Sequence, residues 1–83
     1  SAIHQSRPDV HCACHTHPPG GTAFSALGIE IEPLDQVGCS FFEDHVLHTE
    51  YGGVVLDQDY AQGIANAMGS KRSLVLQNHG LLT

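Results

Sequence analysis

The chain has 83 residues, and its seven histidines outnumber its three Lys and Arg residues combined. Charged residues make up 14% of it, against about 25% in an average soluble domain, and a chain this short forms one small domain that buries only roughly 60% of its unfolded surface. The formal charge of −6 disfavours nucleic acid, which demands a basic stripe, and anionic lipid surfaces, which repel acidic chains.

In chain order, residues 1–6 read as the tail of a helix closed at Arg7-Pro8, because a residue before proline is pushed out of the helical region. Val10-His11-Cys12-Ala13-Cys14-His15 reads as a short buried strand, with Pro18-Pro19-Gly20-Gly21 as the loop after it. Residues 22–27 carry small and apolar side chains at helical spacing, stopped by Gly28. Ile29 and Ile31, alternating with Glu30 and Glu32, predict a brief strand, and Pro33 opens a short helix through Val37. Val46-Leu47-His48 is a further strand, and Gly52-Gly53 breaks the chain before Val54-Val55-Leu56. Asp57 caps a helix with Tyr60, Ala61, Ile64, Ala65 and Met68 on one stripe, closed by Gly69. Residues 73–77 form a last buried strand. Strands alternating with helices predict one α/β unit.

The apolar runs at 53–56 and 74–76 fall far short of the ~20 residues of a membrane helix, and no secretory signal pattern is visible. Three cysteines, two of them only two positions apart, do not make a disulfide framework. A reducing, cytoplasmic setting is expected. The sequence lacks an initiator Met and stops within an apolar run after the turn at Asn78-His79-Gly80, which predicts a segment of a larger fold.

The chemistry concentrates at His15-Thr16-His17. On an extended backbone, side chains two apart share a face with Cα atoms roughly 6.6 Å apart, and two imidazoles can converge to the roughly 3.3 Å that tetrahedral Zn–N bonds require. A catalytic ion takes three protein ligands and an open position. His79, at the end of a buried strand, is the candidate third, since strand ends meet along one sheet edge. Because imidazole must be neutral to bind, affinity should fall as pH drops through roughly 6.5.

Cys12-x-Cys14-His15-x-His17 offers a rival, softer metal tract. In a regular strand, however, the two cysteines face one side and His11, His15 and His17 the other, and buried, inert thiols are expected instead. His45 and His48 are placed on a solvated loop, and His4 and His11 have no partner signal. Glu43 and Asp44, beside a turn, are expected to be solvated rather than catalytic.

Arg7-Pro8-Asp9-Val10, His15-Thr16-His17-Pro18 and Leu76-Gln77-Asn78-His79-Gly80-Leu81-Leu82, in this order and spacing, resemble the class II aldolase/adducin family over the whole chain. The resemblance implies that residues 1–83 are the central segment of a three-layer α/β/α domain, with both flanks missing. It implies that His15, His17 and His79 hold a divalent metal, usually zinc, with iron or manganese as alternatives. That ion polarises a substrate carbonyl or enediolate. The family's acid/base glutamate falls before Ser1, so no catalytic side chain is expected within the chain. The resemblance also implies a homo-oligomer, a tetramer in the family, acting on a small hydroxy-carbonyl or sugar-phosphate substrate as a carbon–carbon lyase. The segment alone is expected to be inactive. Two other activities exist on this fold: an adducin-like, cytoskeleton-associated head that binds actin, and an iron-dependent oxidative decarboxylase. Phe41-Phe42-Glu43-Asp44-His45 and Tyr51-Gly52-Gly53-Val54-Val55 look closer to uncharacterised aldolase-like proteins than to the sugar-phosphate aldolases.

Overall fold

Leu74, Val75 and Leu76 are 1–2% exposed, and the fold is arranged around them. The computed structural model describes residues 2–49 and 58–83. In chain order these form α1 (Ala2–Ser6), β1 (His15–Thr16), α2 (Pro19–Ser25), α3 (Gln36–Cys39), β2 (His45–His48), α4 (Gln58–Met68), β3 (Ser73–Leu76) and β4 (Gly80–Leu82). The strands make one mixed sheet in the order β1-β4-β3-β2. β2 runs parallel to β3, and both other pairings are antiparallel.

Strand alternation divides the side chains between two faces. Leu74, Leu76 and Leu82 meet Ile64 and Met68 of α4, with Ile3 and Tyr60 alongside. Leu81 lies on the other face, against Gly21 of α2. Helices therefore cover both sides of the sheet, the α/β/α layering expected from the sequence. The Arg7-Pro8-Asp9 turn after α1 is tied to the connection between α4 and β3. Arg7 Nη1 donates to the carbonyls of Gly69 (2.8 Å) and Lys71 (3.2 Å), satisfying backbone acceptors just beyond α4 that the helix cannot serve itself. Its Nε and Nη2 grip both Asp9 oxygens.

Several elements differ from the sequence expectation. The strand expected over 10–15 pairs only at His15–Thr16, with Cys14 adding backbone bonds to Thr83. It is an edge strand, and Cys12 and Cys14 are exposed rather than buried. α2 starts earlier than expected: Pro19, Gly20 and Gly21 form its first turn, because proline fixes its φ at a helical value and its missing N–H is not needed there. Residues 29–34 hold no strand. The short helix after them opens at Gln36, capped by Asp35, whose carboxylate accepts from Gly38 N at 2.6 Å. Asp35, not Pro33, sets that boundary.

The strand expected over residues 46–48 is present as β2 and begins one residue earlier, so His45 and His48 stand in it rather than on a solvated loop. His45 Nδ1 donates to Phe41 O (2.7 Å), and its Nε2 accepts from Ile31 N (2.9 Å). His48 is buried beside Tyr60. Glu43 is exposed, as expected, and its backbone carbonyl accepts from Lys71 Nζ, whereas Asp44 is not simply solvated: it binds both the backbone N and the side chain of Arg72. The arginine holds the Asp44 carboxyl below its usual range, so it stays an ion-pair partner. The expected glycine break at Gly52-Gly53, the apolar run at 54–56 after it and the Asp57 cap lie outside the described residues. α4, with Ile64, Ala65 and Met68 buried and Gly69 at φ 54 beyond its end, follows the expectation.

Candidate metal centre

The sequence contained a turn at Asn78-His79-Gly80 but no clear second strand after it. The structure completes a hairpin, Leu76 pairing with Gly80 across residues 77–79. Asn78 sits at φ 62, a left-handed conformation that asparagine tolerates better than most residues. Two bonds fix this turn: His79 N donates to Leu76 O (3.0 Å), and Asn78 N donates to Ser25 O at the end of α2 (3.3 Å).

β4 then runs antiparallel to β1, with His15 opposite Leu82 and Thr16 opposite Leu81. Continuing that register sets His17 beside Gly80. The end of β1 and the start of β4 thus meet, and the three histidines meet with them. The sequence reasoning expected this convergence at the edge of a parallel sheet; an antiparallel pair produces it.

His15 Nε2 lies 3.0 Å from His17 Nε2 and 3.2 Å from His79 Nε2. The candidate ligand atoms of all three are within 4.8 Å of one another. The His15 ring stands nearly perpendicular to both others, at 86° and 84°, while His17 and His79 stack at 22°. His15 Nδ1 donates to the Leu81 carbonyl at 2.8 Å, because a ring nitrogen facing a carbonyl must carry the proton. In the neutral ring that leaves Nε2 as a bare lone pair aimed at the other two imidazoles. Burial, then the neighbouring His15 and His17, hold His79 below the ordinary histidine pKa, which keeps it neutral and able to donate its lone pair.

This donor set fits a divalent cation. The two Nε2 separations at His15 are close to the roughly 3.3 Å spanned by two tetrahedral Zn–N bonds. Among the described residues no cysteine, aspartate or glutamate joins the group, so the mixed Cys/His tract is not assembled. His4, His11, His45 and His48 also lie outside it.

Two contributors escaped the sequence reading. The Leu81 carbonyl is a backbone group and leaves no side-chain signal. Gly80 does leave one, as the glycine of Asn-His-Gly: a Cβ there would stand 2.7 Å from His17 Cδ2 and closer still to Thr16 O. Only glycine lets β1 and the His17 ring approach this near.

Comparison with known proteins places this arrangement in context. The family model described as the class II aldolase and adducin N-terminal domain matches residues 1–83. A 4-hydroxy-3-prenylphenylpyruvate oxygenase/4-hydroxy-3-prenylbenzoate synthase of Streptomyces roseochromogenus subsp. oscitans is 43% identical over 81 residues, which is 98% of this chain and 29% of that protein. An aldolase II superfamily protein from Pseudomonas syringae superposes with a TM-score of 0.89 at 35% identity, covering 99% of this chain and 33% of that one. L-fuculose 1-phosphate aldolase from Glaciozyma antarctica PI12 superposes with a TM-score of 0.83 at 40% identity over 99% of this chain and 29% of that one. The chain therefore spans about a third of the length of these relatives.

Proposed function

Because this chain belongs to the class II aldolase and adducin family, we propose that His15, His17 and His79 hold a divalent cation at the centre of a carbon–carbon lyase. Zinc is the ion proposed, with iron or manganese in its place as alternatives. The substrate class is a small hydroxy-carbonyl compound or sugar phosphate. The observation that carries this reading is the convergence of three imidazole Nε2 atoms, that of His15 left without a proton in the neutral ring because Nδ1–H donates to the Leu81 carbonyl. A bound ion supplies Lewis-acid stabilisation of the negative charge that grows on a substrate oxygen as the adjacent carbon–carbon bond breaks.

The chain's own residues have preparatory roles. Leu81 O fixes the tautomer of His15, Gly80 gives His17 room, and Asn78 turns His79 towards both. Residues 1–83 are taken as the central part of a larger domain whose acid/base group lies outside them. The same reading makes the whole protein a cytoplasmic homo-oligomer that works on small molecules rather than nucleic acid or membrane. The −6 charge of these residues disfavours nucleic acid and anionic lipid surfaces, and among the described residues no helix is long and apolar enough to cross a membrane.

The test is metal analysis of the full-length protein beside its His15→Ala variant. One zinc, iron or manganese per chain, lost in the variant together with activity, is expected. Absence of all three metals, with activity indifferent to the substitution, refutes the proposal; actin co-sedimentation of such a protein would then favour an adducin-like role. A second reading, iron in the same site for oxidative decarboxylation of an aromatic acid, is favoured by the 43% identity to the Streptomyces oxygenase/synthase. Iron rather than zinc in the protein as isolated selects it.

A further inference from the structure

α2 starts beside one of the three histidines and ends against another. His17 leads directly into Pro18 and Pro19, the N-cap and first residue of the helix. Proline fixes φ, so the joint between His17 and α2 has little freedom. A helix rises about 1.5 Å per residue, and the seven residues of α2 therefore hold its ends roughly 10 Å apart.

At the far end Ser25 is fully buried. Its carbonyl accepts two bonds, from Gly28 N and from Asn78 N, both at 3.3 Å. Asn78 is the residue before His79. Gly28 turns the chain away at φ 63, and a Cβ on it would collide with Gln77 Nε2. The end of α2 is thus pressed against the two residues that precede His79. Between the two ends, Gly21 lies against Leu81: a Cβ on Gly21 would stand 2.6 Å from Leu81 Cδ1. The Leu81 carbonyl is the group that orients His15. One short helix therefore reaches the support of every histidine in the cluster, by covalent linkage to His17, by a hydrogen bond beside His79 and by packing on the residue that holds His15.

We propose that α2 is a strut that sets the spacing of His15, His17 and His79, with Gly21 and Ser25 as its positioning residues. The strut rests on the three-histidine reading above and deepens it, because it assigns the geometry of the centre to an element that supplies no ligand. Loss of an outer support of this kind typically weakens a metal site by roughly 10- to 100-fold.

The experiment titrates cobalt(II), whose absorption spectrum reports its coordination, into the metal-free full-length protein and its variants. Gly21→Ala sets a methyl group against Leu81 while giving the helix a better helix former. A residue that only builds the helix would leave cobalt binding unchanged; a positioning residue should weaken it by about tenfold or more and alter the spectrum. Ser25→Val overfills a buried place and should act likewise, by displacing the carbonyl that holds Asn78. Ser25→Ala should bind cobalt as the parent does, because Thr22 O, the acceptor of Ser25 Oγ, keeps its bond from Ala26 N. Ile64→Val loosens the core on the opposite face of the sheet and should lower the unfolding midpoint with affinity and spectrum unchanged. Parent-like affinity and spectrum in folded Gly21→Ala overturn the strut, whether or not Ser25→Val folds. An equal loss of affinity in Ser25→Ala or Ile64→Val also overturns it. A parent protein that binds no cobalt overturns the three-histidine reading, and the strut with it.

Discussion

At His15 the two ring nitrogens do different work: Nδ1–H is committed to Leu81 O, and Nε2 is left 3.0 and 3.2 Å from its neighbours. Replacing this residue with alanine should therefore cost more metal affinity than the roughly 10- to 100-fold typical of losing an outer hydrogen-bond partner. Gly80→Ala acts on the same centre without removing a ligand. Its Cβ would press on His17 Cδ2 and on the Thr16 backbone, so cobalt, used as a spectroscopic stand-in, should bind about 10-fold or more weakly with an altered absorption spectrum. An unchanged spectrum and affinity would mean that β1 relaxes freely. The pH dependence follows from His79. Its pKa is lowered from the ordinary 6.5 by burial and then by the other two rings. A depressed folded pKa means that the neutral ring's contribution to stability is complete above the unfolded value and lost as pH falls through the folded one. Metal affinity measured from pH 8 to pH 5 should accordingly hold steady at first and decline only below the ordinary histidine value of about 6.5 as His79 protonates. Affinity that is flat to pH 4 would rule out an all-histidine site. The grouping of His15, His17 and His79 was legible in sequence because an H-x-H pair and a histidine at a strand end can share one sheet edge; the Leu81 carbonyl was not, because every residue has one.

Among the elements, boundaries set by one polar side chain are the ones most open to test. Asp35→Ala removes the acceptor for Gly38 N and should cost the full-length protein about 1 kcal/mol, read from denaturant unfolding. The carboxyls of Asp9 and Asp44 are held below their usual value by hydrogen bonds to Arg7 and Arg72 respectively. Depressed carboxylates stabilise above the unfolded pKa and stop doing so as pH falls through the lower folded one. Acid unfolding should therefore set in below about pH 4 and move to higher pH in Arg72→Met. The sequence predicted α4 and β3 well because each has a strong periodic or wholly apolar pattern. It failed at residues 10–14 for a tertiary reason: an edge strand carries apolar side chains without being covered. It also read 19–21 as loop from its glycines, although Pro19 prepares a helical first turn.

For the whole molecule, the sheet order β1-β4-β3-β2 explains why residues 62 and 64 positions before His79 come to rest against it. An antiparallel hairpin and an edge strand do what a parallel crossover was expected to do. The turn signal at Asn78-His79-Gly80 was visible, but three residues of β4 are too few to announce a strand, so the topology stayed hidden. Leu74, 1% exposed, lies in β3, the strand that pairs with both β2 and β4. Leu74→Ala should destabilise the full-length protein by about 2–5 kcal/mol in denaturant unfolding, a large share of a small domain's total.

The proposed divalent-ion site depends on a mixed sheet that brings three histidines together. Zinc titration of the metal-free full-length protein, by calorimetry, tests it most directly beside His15→Ala, His17→Ala and His79→Ala. One site per chain, with affinity collapsing in each variant while the fold survives, is the predicted result. A site that persists in all three variants, or no site in the parent, would contradict it.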